Sequence, residues 1–100
     1  MALKELSHGG EYMFYYVYVL ISEKDNNFYT GYSKDINRRV KEHNNGQVLS
    51  TKRRRPLKLV YFEGCVSKND AKDREKYLKT ASGRRYLKNR MKYYLTHNIK

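Results

Sequence analysis

The hydrophobic positions of the chain mark three short strands. Residues 14–22 (FYYVYVLIS) are rich in aromatic and β-branched side chains and apolar on both faces, which predicts a central strand. Turn-forming residues at 23–27 and the segment 27–32 (NFYTGY) predict a hairpin with a second, returning strand. The alternating residues 57–63 (LKLVYFE) predict a third strand.

The first predicted helix follows the hairpin directly. Ser33 is placed as its N-cap, and the helix is expected over residues 34–44. Within it, Ile36 and Val40 lie four residues apart on one apolar stripe. The pair Asn45-Gly46 is a stop signal immediately after the helix.

The remainder of the chain predicts a loop and two further helices. Residues 47–55 are expected to form a polar, basic loop. Ser67 begins a capping box that predicts a helix over 68–80, residues 81–83 (ASG) interrupt it, and residues 84–95 predict a last helix. The order β-β-α-β-α-α indicates a small α+β fold, in which helices flank a three-stranded antiparallel sheet.

Length and composition bound the organisation of the chain. One hundred residues with 39% hydrophobic side chains can form one small core, so we assign a single domain to residues 13–97 and a flexible leader to residues 1–12. The longest apolar run, 13–21, is too short for a membrane helix, which needs about 20 residues. A lone cysteine, Cys65, and no recognisable secretory signal favour a cytoplasmic protein without membrane contacts.

Positive charge changes the expected partner. The formal net charge is +12, which favours a polyanion such as nucleic acid. It is concentrated in residues 38–58, with a net charge of +7, and in residues 68–100, with +8. Candidate nucleic-acid contacts lie on the first helix and the following loop: Arg38, Lys41, Lys52, Arg53, Arg54 and Arg55. For the run 52–55, a merely solvated loop is the alternative.

The predicted hairpin directs two tyrosines towards one glycine. Tyr18 on the first strand and Tyr29 on the second can converge above Gly31, where the missing side chain would leave room for a ligand. Arg39 and His43 lie four residues apart on one face of the next helix, and Arg39 is a fixed cation suited to a phosphoryl oxygen. Singly, each tyrosine could equally be a core residue, and His43 could be a helix cap.

A carboxylate follows much later in the chain. Glu75 lies in the predicted helix 68–80 among Lys72, Arg74 and Lys76. An acid in that setting either forms ion pairs along the helix, for example with Lys79, or binds a divalent cation.

In order and spacing, these residues resemble the GIY-YIG nuclease domain. Residues 16–18 (Tyr-Val-Tyr) stand at the first tripeptide of that family and residues 29–31 (Tyr-Thr-Gly) at the second. The spacings onward to Arg39 and His43 are similar to those of the family, and residues 71–75 resemble its glutamate-bearing helix.

The likeness covers residues 14–95 and is closest to the small stand-alone bacterial members, which resemble the nuclease half of the excision-repair endonuclease subunit. Tyr16 and Val17 replace the Gly and Ile of the first tripeptide, and Thr30 replaces the Ile of the second. None of the three is a proposed reacting group. Asn89 stands in for an asparagine that the family often carries near its end.

The resemblance implies hydrolysis of DNA phosphodiester bonds with Mg²⁺ or Mn²⁺, in repair or recombination. Tyr18 would act as, or orient, the general base, and Tyr29 would position the water or the phosphate. Arg39 would pair with the scissile phosphate. The residues carried over are Tyr18, Tyr29, Arg39 and His43 as catalytic groups, Glu75 as metal ligand, and Gly31 and Asn89 as support.

Two other interpretations stay open. The chain could be a non-catalytic, basic nucleic-acid-binding module of the same fold, or a domain that docks on another repair protein. Because 100 residues leave no room for a separate specificity domain, we expect a second copy of the chain or a repair protein to help select the site.

Overall fold

A three-stranded antiparallel sheet forms the centre of the computed structural model, which describes residues 13–98. Strand β1 (Tyr15–Ser22) lies between β2 (Phe28–Ser33) and β3 (Leu57–Cys65), as its two-sided apolar character predicted. The leader assigned to residues 1–12 lies outside the described residues.

Helices lie on both faces of this sheet. They are α1 (Ile36–Asn44), a 3₁₀ helix (Leu49–Arg54), α2 (Lys68–Leu78), α3 (Ala81–Arg90) and α4 (Lys92–Asn98). The predicted α+β class and the order β-β-α-β-α-α are confirmed. Among residues 13–98, no helix has the length and apolar character needed to cross a membrane.

Each face of the sheet has its own core because successive side chains of β1 alternate between the faces. Val17 and Val19 pack on the face that α2 and α3 cover, against the buried side chains of Ala71, Leu78, Leu87 and Met91. Tyr18 and Leu20 point to the other face, where Ile36 and Val40 of α1 and Leu57 of β3 pack against them. The first helix is therefore placed directly over Tyr18.

The start of α1 differs from the prediction. Asp35, not Ser33, is the N-cap, and its carboxylate accepts a hydrogen bond from the Arg38 backbone N–H at 3.1 Å. Ser33 instead ends β2, where its hydroxyl accepts from the Asp35 N–H at 2.9 Å. Both residue types cap helices well, so their identities could not decide between them.

The boundaries of α3 were also predicted wrongly. Residues 81–83 begin this helix rather than interrupt one, since Thr80 is the N-cap and accepts from the Gly83 N–H at 3.1 Å. Gly83 is buried against α2, where an added Cβ would overlap the backbone carbonyl of Tyr77. This glycine allows two helices to approach closely and does not mark a break.

Two segments carry more structure than predicted. The basic loop expected over residues 47–55 contains the 3₁₀ helix, and the last helix expected over 84–95 is divided at Met91 into α3 and α4. Met91 itself is buried in the core beneath both helices.

Candidate functional site

The hairpin places Tyr18 directly opposite Gly31 in the β1–β2 pairing. A Cβ added to Gly31 would overlap the Tyr18 phenol, whose Cζ would be only 2.5 Å away. The expectation that Gly31 leaves room for a ligand is therefore wrong, because the phenol of Tyr18 itself occupies that space. Gly31 lets this ring lie across the edge strand of the sheet.

His43 of α1 forms a hydrogen bond with the hydroxyl of Tyr18. Its Nε2 lies 2.8 Å from the Tyr18 Oη, and its Nδ1 lies 2.7 Å from the Thr51 Oγ1. We assign the Nδ1–H tautomer to His43, because the Thr51 hydroxyl has the Val48 carbonyl as an acceptor of its own proton, at 3.4 Å, and can then accept from Nδ1–H. The Nε2 lone pair is then left to accept the Tyr18 O–H. His43 and Thr51 are fully buried.

Burial keeps both ends of this contact neutral. It raises the pKa of Tyr18 to about 12, although a hydrogen bond from the Arg39 guanidinium opposes the rise. Burial, together with the charge of Arg39, lowers the pKa of His43 to about 4. At neutral pH the proton therefore stays on Tyr18 and is donated to an uncharged imidazole.

Arg39 and Tyr29 complete the α1 side of the site. The Arg39 guanidinium lies close enough to the Tyr18 hydroxyl to lower its pKa, and its Nη1 donates to the Glu42 Oε1 at 2.9 Å. Its side chain is 38% exposed, against 71% for that of Arg38, so the structure distinguishes these neighbouring arginines. The Tyr29 ring packs edge-on against His43, with the ring centroids 5.0 Å apart. The first helix and the hairpin thus bring Tyr18, Tyr29, Arg39 and His43 together.

Glu75 extends from α2, which packs on the face of the sheet opposite Tyr18. Its negative charge nevertheless contributes to raising the pKa of Tyr18 and of Tyr32, two phenols for which burial is the main cause. These phenols belong to opposite faces, and Tyr32 follows Gly31 on the edge strand β2. Lys72, one turn before Glu75 on α2, lies over the ring of Tyr32 at 4.8 Å, so this part of α2 lies beside the β2 edge.

The groups around Glu75 suit one kind of ion. The carboxylate is 22% exposed and contacts the Lys79 ammonium at 3.0 Å. Over residues 13–98, no three His, Cys, Asp or Glu side chains are grouped so that they could hold a metal ion. Mg²⁺ commonly uses one or two carboxylates and leaves the rest of its shell to water and substrate phosphates. The single carboxylate of Glu75 fits a Mg²⁺ or Mn²⁺ ion whose other ligands are water and substrate phosphates.

The predicted nucleic-acid contacts divide into one arginine that is held within the fold and five side chains that are exposed. Arg54 is engaged: its Nε lies 2.8 Å from the Asp25 carboxylate, and its Nη2 donates to the carbonyls of Asn27 and Phe28. This arginine ties the 3₁₀ helix to the tip of the hairpin. The remaining members of the predicted set are exposed at the surface: Arg38, Lys41, Lys52, Arg53 and Arg55.

Asn89 was included in the site predicted from the sequence, and Thr51 was not. Asn89 is exposed on α3, and within residues 13–98 no hydrogen bond or ion pair joins its side chain to the tyrosines, so its supporting role stays a prediction. Thr51 was missed, although it is buried and bonded to His43. It lies in the segment predicted as an irregular loop, where no periodic pattern marks a buried position.

Comparisons with known proteins identify the family to which this chain belongs. The chain matches the model of the GIY-YIG catalytic domain over residues 14–93. It is 47% identical over 75 residues to the UPF0213 protein of Staphylococcus saprophyticus, covering 74% of this chain and 90% of that protein. It is 46% identical over 65 residues to the UPF0213 protein of Clostridium perfringens, covering 64% and 69%.

A solved structure shows the same fold. The solution NMR structure of the UPF0213 protein BH0048 from Bacillus halodurans matches with a TM-score of 0.52 and 32% identity, covering 88% of this chain and 98% of that one. The matched residues 14–93 include both tripeptides, α1 and the helix that carries Glu75. This chain therefore belongs to the GIY-YIG family of nuclease-like catalytic domains.

Proposed function

We propose that this protein is a Mg²⁺-dependent endonuclease that hydrolyses phosphodiester bonds in DNA, in repair or recombination. One observation carries the proposal, namely the buried contact between Tyr18 and His43 beside Arg39. The Tyr18 hydroxyl contacts His43 and Arg39, and its pKa responds to the charge of Glu75. A phenol, an imidazole, a guanidinium and a carboxylate are the groups that such a hydrolysis requires.

Tyr18 and His43 would move the proton of the attacking water. The Tyr18 oxygen accepts that proton while its own hydroxyl proton passes to the His43 Nε2, 2.8 Å away. The water oxygen then bonds to phosphorus, and the 3′ oxygen leaves with the electrons of the broken bond and takes a proton from solvent. The phenolate is never free, so the raised pKa of Tyr18 does not prevent the step.

Arg39 would neutralise the phosphate in this step. Its guanidinium has five N–H donors, and the contacts with Tyr18 and Glu42 leave others for a non-bridging oxygen. Tyr29, whose ring packs on His43, would orient the water or the phosphate from β2. The hairpin and α1 already hold the side chains of Tyr29 and Arg39 in place in the free protein, as both roles require.

Glu75 would hold the Mg²⁺ ion at the β2 edge. When bound there, the ion would supply positive charge for the phosphate and for the leaving oxygen. The Lys79 ammonium at 3.0 Å neutralises the carboxylate until then. Because an ion pair between positions i and i+4 of a helix contributes only about 0.2–0.5 kcal/mol, a divalent ion can displace it.

The same ion pair favours a second candidate, a nucleic-acid-binding module that does not cleave. With Lys79 as its partner, Glu75 needs no metal ion to be accommodated on a cationic surface. This candidate accounts for the +12 charge but gives no role to the buried contact between Tyr18 and His43. We therefore rank it second.

Cleavage assays separate the two candidates. The full chain with Mg²⁺ is incubated with supercoiled plasmid, branched duplex and single-stranded DNA, and we expect nicking or cutting of at least one. Glu75→Ala should abolish cutting and leave binding intact. Asp73→Ala removes an exposed carboxylate from the same helix and should keep activity. If wild type and Glu75→Ala are equally inert on all three substrates, the protein is a binding module.

A further inference from the structure

Two basic concave surfaces flank the tip of the β1–β2 hairpin. The first, which we call the loop concavity, has a volume of about 650 Å³ and is lined by Lys24, Lys52, Arg53 and Arg55. The second, the helix concavity, has about 620 Å³ and is lined by Arg54, Arg84 and Lys88, with Asp25 as the carboxylate among its lining residues. Arg84 and Lys88 lie outside the set of nucleic-acid contacts predicted from the sequence.

The two concavities adjoin at the hairpin tip, where consecutive residues of the chain line one or the other. Lys24 lines the loop concavity and its neighbour Asp25 lines the helix concavity. Likewise, Arg53 lines the loop concavity and Arg54 lines the helix concavity. The contact between Arg54 and Asp25, at 2.8 Å, joins the 3₁₀ helix to the hairpin at this boundary. We call the basic residues that line these two adjoining concavities, from the 3₁₀ helix around the tip to α3, the basic track.

The charge of this track is uncompensated on the α3 side. Asp25 is already bound by Arg54, so it does not neutralise the other cations. Arg84 and Lys88 are exposed one helical turn apart on α3, and within residues 13–98 neither side chain has a carboxylate within 4 Å. Two adjacent cations without a protein partner are a suitable contact for a polyanion.

We propose that Arg84 and Lys88 bind phosphates of the nucleic-acid backbone, which passes around the hairpin tip on both sides. This inference rests on the proposed function, because it extends the binding surface of the same DNA. The tip leads from these cations directly into β2, which carries Tyr29 and Gly31 of the site. Nucleic acid held on the basic track would therefore be bound next to the phosphodiester bond that is cut. Amide and guanidinium groups at the tip favour phosphate oxygens over an apolar ligand.

The experiment measures binding, so it does not depend on cleavage. In a Glu75→Ala background, affinity for duplex and single-stranded oligonucleotides is determined between 50 and 200 mM salt for Arg84→Ala/Lys88→Ala. The control Lys76→Ala/Arg90→Ala removes two exposed cations that line neither concavity. Thermal unfolding confirms that both variants fold.

Loss of two phosphate contacts should reduce the log–log salt slope by about 1.8 on duplex DNA or about 1.4 on a single strand. Between 50 and 200 mM salt, the variant should therefore lose about tenfold less of its affinity for duplex DNA than the Glu75→Ala protein loses. The control should keep the original slope. An unchanged slope in the Arg84/Lys88 variant, or an equal reduction in the control, overturns the inference. Wild-type cleavage with an unchanged slope would reject the track alone and leave the endonuclease proposal standing.

Discussion

Replacement of Gly31 by alanine tests how closely the site is packed. The backbone of Gly31 is not in the left-handed region, since Gly46 is the glycine with a positive φ among residues 13–98. Alanine is therefore permitted there by conformation and opposed only by space. The added Cβ would lie 2.5 Å from the Tyr18 Cζ, whereas carbon atoms in contact prefer about 3.5–4.0 Å. The ring or the strand must move by about 1 Å.

The expected cost has two parts. Overpacking of a filled core typically destabilises a protein by about 1–3 kcal/mol. If the Tyr18 ring moves, its hydroxyl also leaves the His43 Nε2, now 2.8 Å away, and a buried polar group without a partner costs about 1–3 kcal/mol. We expect Gly31→Ala to lower the free energy of unfolding by about 2–6 kcal/mol and to abolish cleavage.

Gly64→Ala provides a matched control on the other neighbour of β1. Gly64 of β3 pairs with Tyr16 as Gly31 pairs with Tyr18, but its Cβ would lie 3.0 Å from the Tyr16 Cε1. The Tyr16 ring is only half-buried and can yield, while alanine gains about 0.5–1 kcal/mol over glycine within a strand. Urea denaturation should therefore find Gly64→Ala within about 1 kcal/mol of wild type. If the two variants lose equal stability, the close packing of Tyr18 on Gly31 is not what constrains that position.

Three further predictions concern groups around the site. Thr51→Val removes the acceptor for the His43 Nδ1–H and should cost about 1–3 kcal/mol in urea denaturation, whereas Thr51→Ser should retain most of the stability; equal losses would show that the hydroxyl is unimportant. Because the pKa of His43 is lowered to about 4 in the folded protein, stability should fall as pH decreases from about 6.5 towards 4, and His43→Gln should lack that slope. The Arg54 guanidinium lowers the pKa of Asp25 to about 2, so the stability from this contact is present above the ordinary value near 4 and is lost as pH falls towards 2. An NMR titration of Arg54→Gln should return the Asp25 pKa to the ordinary range, and an unchanged pKa would assign the shift to another group.

Period-two alternation and hairpin pairing were sufficient to predict the α1 side of the site. They placed Tyr18 and Leu20 on one face and the central strand between its two partners, as the structure has them. The four-residue spacing of Arg39 and His43 likewise predicted that both side chains would point to one place, which is Tyr18. These features depend on local geometry, which the sequence reports directly.

Features that depend on contacts between distant segments were not accessible from the sequence. Thr51 meets His43 only because the 3₁₀ helix folds beneath α1. Arg54 differs from its basic neighbours only because it binds Asp25 at the hairpin tip, a contact between segments that are distant in the sequence. The position of Glu75 at the β2 edge likewise follows from the packing of α2 on the opposite face of the sheet, which the resemblance implied but no pattern in α2 specified.

The proposed function requires one divalent ion to bind at Glu75 within reach of the phenols of Tyr18 and Tyr29. Paramagnetic NMR with Mn²⁺ tests it directly, because bound Mn²⁺ broadens the signals of nearby protons. We expect the ring signals of Tyr18 and Tyr29 to broaden in the wild-type protein and to stay sharp in Glu75→Gln. Broadening confined to the exposed carboxylates Asp70 and Asp73, or broadening of the phenols that persists in Glu75→Gln, would contradict the account.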